Sequence, residues 1–236
     1  MKFIITILGA ALLWLTTPVQ AQTLPDTNIT KKTFVINITK LESPNLSLAQ
    51  LVDGIEHMNT YIGSYPPRFT SEAHRQDIYE KWLVLISEAE AYFAANQGAE
   101  NAYYVRAELY RQGHNMDVEG SAAKAFENID ACLKAYKTSV ACNFSAQYFY
   151  LSIAPVRLKE AENSLSFLRG HFKPNLEPEV EAGYVYLYLF AQDYDRAAAQ
   201  INAYISAFPE TRRAAEFKEI LSALKSNNVK IVTDEP

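Results

Sequence analysis

Three alanines, Ala125, Ala161 and Ala197, stand 36 residues apart. Four residues after each comes a larger aliphatic side chain (Ile129, Leu165, Ile201), and seven after each comes Cys132, Leu168 or Tyr204. Positions spaced by three, four and seven share one face of a helix. The pattern therefore describes a helix whose small residue lets a neighbour approach and whose larger residues fill the space beside it. Upstream the period continues in the last two copies: Tyr148-Phe149-Tyr150-Leu151 recurs as Tyr184-Val185-Tyr186-Leu187, and Ile153 as Leu189. Two helices per period cannot bury both of their faces alone, and stacking the next pair does so. The first copy is looser, with a longer connection inside 112–120.

The rest of the chain obeys the same helical logic. Leu48, Leu51, Val52, Ile55, Met58 and Ile62 follow a helical spacing that Ser64-Tyr65-Pro66-Pro67 breaks. Ser71 is a suitable N-cap for a second helix carrying Ile78, Trp82, Leu85, Ile86, Ala89 and Phe93 on one stripe, closed by Gly98. Seven further helical segments are expected at about 100–112, 121–137, 140–154, 157–170, 178–191, 194–208 and 211–225. The expected fold is all-α, an α/α hairpin repeat solenoid. It comprises a helical pair over 47–98, repeats with a closing helix over 99–225, and a polar tail over 226–236. Within a leader spanning 22–46, Phe34 to Ile38 is β-prone and reads as either a strand or an extended arm.

The first 21 residues stand apart. Met1-Lys2 precedes an apolar run from Phe3 to Leu15, and Val19-x-Ala21 offers small residues at a cleavage position. This is the pattern of a secretory signal peptide cleaved after Ala21. The apolar run is shorter than the roughly 20 residues a membrane span requires, and no later stretch resembles a span. The expected product is exported and periplasmic, of the Gram-negative type. A hydrophobic content of 49% with a net charge of −5 excludes a disordered chain. The acidic balance, without a dense Lys/Arg cluster, argues against nucleic acid.

Tyr184, Tyr188, Asp193-Tyr194, Ala197, Ile201 and Pro209 resemble a tetratricopeptide repeat, as do Tyr148, Leu158, Ala161, Leu165 and Pro174 in the preceding copy. Ala107, Tyr110, Gly113 and Ala125 resemble the related Sel-like variant, which tolerates longer loops. The resemblance covers about 101–210 and lacks the family's usual Trp and Gly in the first helix. It implies hairpins whose first helices line a concave groove, and a role in binding a peptide or protein partner of the cell envelope.

Few residues point to chemistry. Cys132 and Cys142 are ten apart, near the end of one expected helix and the start of the next, where an α-hairpin brings side chains face to face. In an exported chain they are expected to form a structural disulfide. His57, His74, His114 and His171 form no metal-ligand spacing. Ser121 to Lys124 and Ser222 to Lys225 match S-x-x-K without its companion motifs and read as ordinary helical turns. No catalytic residues, metal or cofactor are assigned, and the chain is not expected to be an enzyme. Tyrosine is abundant, 15 in all. It suits binding surfaces because it joins a broad ring to a polar tip. At about 100° per residue, Tyr184 and Tyr188 share a face and Tyr186 points away. The groove candidates are Tyr150, Tyr186 and Leu189, with Tyr148 and Tyr184 beside them; the competing reading is that they pack the repeats. The alternatives to a peptide-binding module are a binder of small ligands or cell-wall fragments, an envelope hydrolase without a recognisable motif, and a structural part of an assembly. Partner identity and oligomeric state stay open.

Overall fold

A computed structural model of the chain describes residues 45–226. The expected signal sequence, the Phe34 to Ile38 segment and the tail beyond Ser226 lie outside the described residues. Among the described residues there are nine α-helices and no strand: α1 (Leu48–Ile62), α2 (Glu72–Ala95), α3 (Glu100–Asn115), α4 (Ser121–Ala135), α5 (Val140–Ser152), α6 (Leu158–Phe172), α7 (Pro178–Phe190), α8 (Tyr194–Ala207) and α9 (Arg212–Lys225). Helices adjacent in sequence pair as neighbours, which is the α/α hairpin repeat that the periodicity specifies. None of these helices is long and apolar enough to cross a membrane. The chain divides into two compact units inside α4, between Lys124 and Ala125.

In the first unit, α1, α2 and α3 each pack on the other two. Ser47 and Gln50 form a capping box that opens α1, and Ser71 caps α2 by accepting from the His74 amide at 3.1 Å. The chain enters this unit tethered to α2: the Glu88 carboxylate accepts from the Asn45 amide at 2.7 Å, the Asn45 side chain at 3.0 Å and the Leu46 amide at 3.1 Å. Ile55, Met58, Ile78, Trp82, Ile86, Val105 and Leu109 contribute buried side chains. The Trp82 indole donates to the Leu109 carbonyl at 2.8 Å, so its one polar atom is satisfied. Gly113 must be glycine here, because a Cβ would lie 2.6 Å from the Trp82 ring and 2.7 Å from Ser121 Oγ.

A polar face of α3 locks onto the C-terminal end of α1. Arg111 pairs with Glu108 and donates to the Gly63 carbonyl at 2.6 Å and Asn59 Oδ1 at 3.1 Å. Gln112 donates to the Ile55 carbonyl and Asn59 Oδ1, both at 2.9 Å, and Asn115 to the Ile62 carbonyl at 2.9 Å. All four α3 residues are buried. The last carbonyls of a helix have no partner within it, and here Asn115 supplies one for Ile62 and Arg111 one for the capping Gly63. The guanidinium of Arg111 also lies where the α1 dipole favours a cation.

In the second unit, the part of α4 from Ala125 is followed by α5 to α9. From α5 onward each helix packs on the next, and α5 also meets α7. The repeat anchors carry the core. Ala125, Ala161 and Ala197, then Ile129, Leu165 and Ile201, then Cys132, Leu168 and Tyr204 are all buried. Gly183 on α7 sits against Leu165 and Gln147, which a Cβ would meet at 2.5 and 2.7 Å. At the far end, Val185 and Leu189 of α7 join Ile201 and Tyr204 of α8 and Phe217 of α9 in one cluster. Cys132 and Cys142 form the expected disulfide, with Cα atoms 5.8 Å apart, joining α4 to α5.

Candidate functional site

The five groove candidates occupy different environments. Tyr150 on α5 is buried: its ring stacks on Phe126, and its hydroxyl donates to Asp130 at 2.6 Å. Burial, then that carboxylate, push its pKa up. Arg157 completes the group, bonding Asp130 at 3.0 Å and lying 3.8 Å over the Phe126 ring. Leu189 is 1% exposed within the α7–α8–α9 core. In this conformation neither Tyr150 nor Leu189 is open to a partner, because each fills the space between helices. Tyr148 is half-buried on α5, edge-on to Phe149.

The three tyrosines of α7 separate as their helical angles require. Tyr184 and Tyr188 share a face, with ring centroids 6.0 Å apart. Each carries a guanidinium on its ring, Arg169 at 3.6 Å over Tyr184 and Arg196 at 4.8 Å over Tyr188. Arg169 is fixed by Glu181 through bonds of 3.0 and 2.6 Å, and Gln200 donates to the same carboxylate at 2.8 Å. Arg196 is fixed by Asp193 at 2.6 Å. Tyr184 is buried under this arrangement, and Tyr188 is half-buried.

Tyr186 points elsewhere. It is half-buried and edge-on to Phe217 of α9, with ring centroids 5.8 Å apart. Loss of solvent pushes its hydroxyl up to about 12, with the nearby Arg213 cation opposing the shift, so it stays a neutral donor at ordinary pH. Arg213, from the first turn of α9, pairs with the half-exposed Glu179 from the first turn of α7. An aromatic ring, a cation and an anion thus gather where α7 and α9 meet.

The polar groups behind these rings are not evident from periodicity alone. One signal was available. Glu90 accepts from the Tyr110 hydroxyl at 2.6 Å, and Asp130 accepts from Tyr150 at the same distance; in both pairs the acid precedes the tyrosine by 20 residues. Both tyrosines are buried, and both acids also hold an arginine, Arg106 on Glu90 and Arg157 on Asp130. The acid-to-tyrosine spacing marks a link from inside one helix to the later part of the next. Of the S-x-x-K pair at Ser121 to Lys124, the lysine reaches the Tyr110 hydroxyl at 3.3 Å. Among the described residues no group of three or more His, Cys, Asp or Glu could hold a metal ion. Compared with protein-family models, curated proteins and solved structures, the chain shows no significant match to any of them.

Proposed function

We propose that the chain is an exported, periplasmic helical-repeat protein of the tetratricopeptide-like kind, whose second unit captures a peptide or protein segment in the cell envelope. The observation that supports this best is the α7–α9 site, where the half-buried Tyr186 ring lies beside the Arg213–Glu179 pair. A tyrosine ring receives apolar side chains and its hydroxyl receives a backbone carbonyl. An arginine fork receives carboxylates in two parallel bonds. Together they suit an extended segment of mixed side chains. Export is supported by the leader over 1–21 and by the Cys132–Cys142 disulfide, a bond that persists in oxidising compartments.

The test is a photo-crosslinking residue in place of Tyr186, introduced in cells that export the protein, with the same residue at Lys218 on the exposed side of α9 as control. The expected result is a single protein adduct from position 186 that is absent from position 218 and falls about tenfold when Arg213→Ala is added, as loss of one charge-assisted contact implies. Equal adducts from both positions, or a small-molecule adduct alone, would rule the site out. The mature chain isolated in the same experiment is expected to begin at Gln22.

A further inference from the structure

We propose that the partner segment brings an acidic side chain, Asp or Glu, to the α7–α9 site, where its carboxylate accepts from the Tyr186 hydroxyl and from Arg213. The inference rests on the partner-binding reading and names what that partner must carry.

The chain builds the same arrangement twice from its own residues. A buried tyrosine donates its hydroxyl to an acid 20 residues earlier, Tyr110 to Glu90 and Tyr150 to Asp130, both at 2.6 Å. Each acid also accepts from an arginine at 3.0 Å, Glu90 from Arg106 and Asp130 from Arg157. Each guanidinium lies over a phenylalanine ring, at 4.0 Å on Phe93 and 3.8 Å on Phe126. Tyrosine, arginine and phenylalanine thus gather around one carboxylate.

Tyr186 has the same company except for the carboxylate. It stands 36 residues after Tyr150, and 20 residues before it comes Ser166 in place of an acid. Its ring meets Phe217 of α9. Arg213 lies one turn before Phe217 on α9 and so shares its face. Among the described residues no group accepts from the Tyr186 hydroxyl. Arg213 is engaged but not filled. Of its five N–H donors, one bonds Glu179, and no other side chain among the described residues takes the rest. Glu179 is 47% exposed, so water screens its repulsion of a second carboxylate.

A hydroxyl without an acceptor beside an arginine with donors to spare favours an anion over a neutral group, because bonds to an ionised acceptor are roughly twice as strong. In both complete copies that anion is a side-chain carboxylate, which is the source chosen here over a chain end or a free small acid.

Three N-acetylated tripeptides at millimolar concentration test this: Ala-Glu-Ala amide, Ala-Gln-Ala amide, and Ala-Gln-Ala with a free carboxylate. Amide chemical shifts over 185–187 and 212–217 report binding to the parent, to Tyr186→Phe, which keeps the ring, and to Arg213→Gln. The Glu peptide should bind the parent at least about tenfold more tightly than the Gln amide. Both variants should erase that preference with helix content unchanged. Equal binding of the two amides, binding of neither, or a preference that survives Tyr186→Phe would overturn the proposal. Preference for the free carboxylate alone would also overturn it, by assigning the site to a chain end. The crosslinking experiment keeps the two readings apart. No adduct from position 186 defeats partner binding itself, whereas an adduct whose attached segment carries no Asp or Glu beside the crosslink defeats only the acidic side chain.

Discussion

His114 sits half-buried near the end of α3, and loss of solvent holds its imidazole below the usual histidine range; Asp117 pulls the other way and Arg111 adds to the depression. The folded chain therefore declines a proton that the unfolded chain accepts once the pH falls below about 6.5, the ordinary histidine value. Stability from this group is complete above that pH and is lost as the pH drops through the window between the unfolded and folded values. His114→Gln should flatten the urea midpoint between about pH 8 and about pH 5 relative to the parent. An unchanged slope would show that His114 is not the group responsible. Loss at lower pH belongs to carboxylates such as Glu88, which the Asn45 side chain and then the neighbouring amides hold below the usual range. At this scale the sequence is an uneven guide. The tyrosine surplus and the opposed faces of Tyr184 and Tyr186 follow from helical angles. That Tyr150 is buried while Tyr186, its equivalent one period on, is half-buried does not. The difference comes from neighbours on other helices: Asp130, Phe126 and Arg157 surround Tyr150, and Phe217 and Arg213 meet Tyr186.

Helices and their order are well marked in the sequence, because a 3.6-residue period and short polar connections leave little choice. The ends shift by a few residues where local geometry intervenes. α5 stops at Ser152 because Ile153 is extended ahead of Pro155, and α6 runs through Gly170 to Phe172. What periodicity conceals is the buried charge on α3. Glu108 and Arg111, three apart, read as an ordinary surface pair, and only the arrival of α1 takes them out of water. Arg111→Met should lower stability by about 3–5 kcal/mol, because Glu108 is left buried without its cation. Adding Glu108→Leu should recover most of that loss, as replacing a whole buried pair by apolar groups does. Urea midpoints of the two variants decide it: a double variant no better than the single would mean that the carbonyls of α1, and not Glu108, are what Arg111 is needed for.

At the scale of the whole molecule, two compact units share α4, and the disulfide belongs to the second. Closing a loop of about ten residues stabilises by roughly 2–3 kcal/mol, chiefly by restricting the unfolded chain. Replacing both cysteines by alanine should lower the opening free energy of amides in 125–226 by about that amount and leave those in 45–124 unchanged, measured by native-state hydrogen exchange. An equal fall in both would show that they unfold as one. The units also differ in how far their contacts reach along the chain. In the second unit the Cys132–Cys142 bond spans ten residues, the Tyr150–Asp130 bond 20 and the Arg213–Glu179 pair 34. The bonds from α3 to α1 span 48 to 57. A ribosome makes the chain from its N-terminus, so α1 emerges long before the side chains that satisfy its last carbonyls. Until α3 is out, the Ile62 and Gly63 carbonyls have only water to bond, and the side of α1 that α3 covers stays exposed. The helix synthesised first thus waits for α3 before its last bonds can form, and it needs shielding for that interval while the chain is being made.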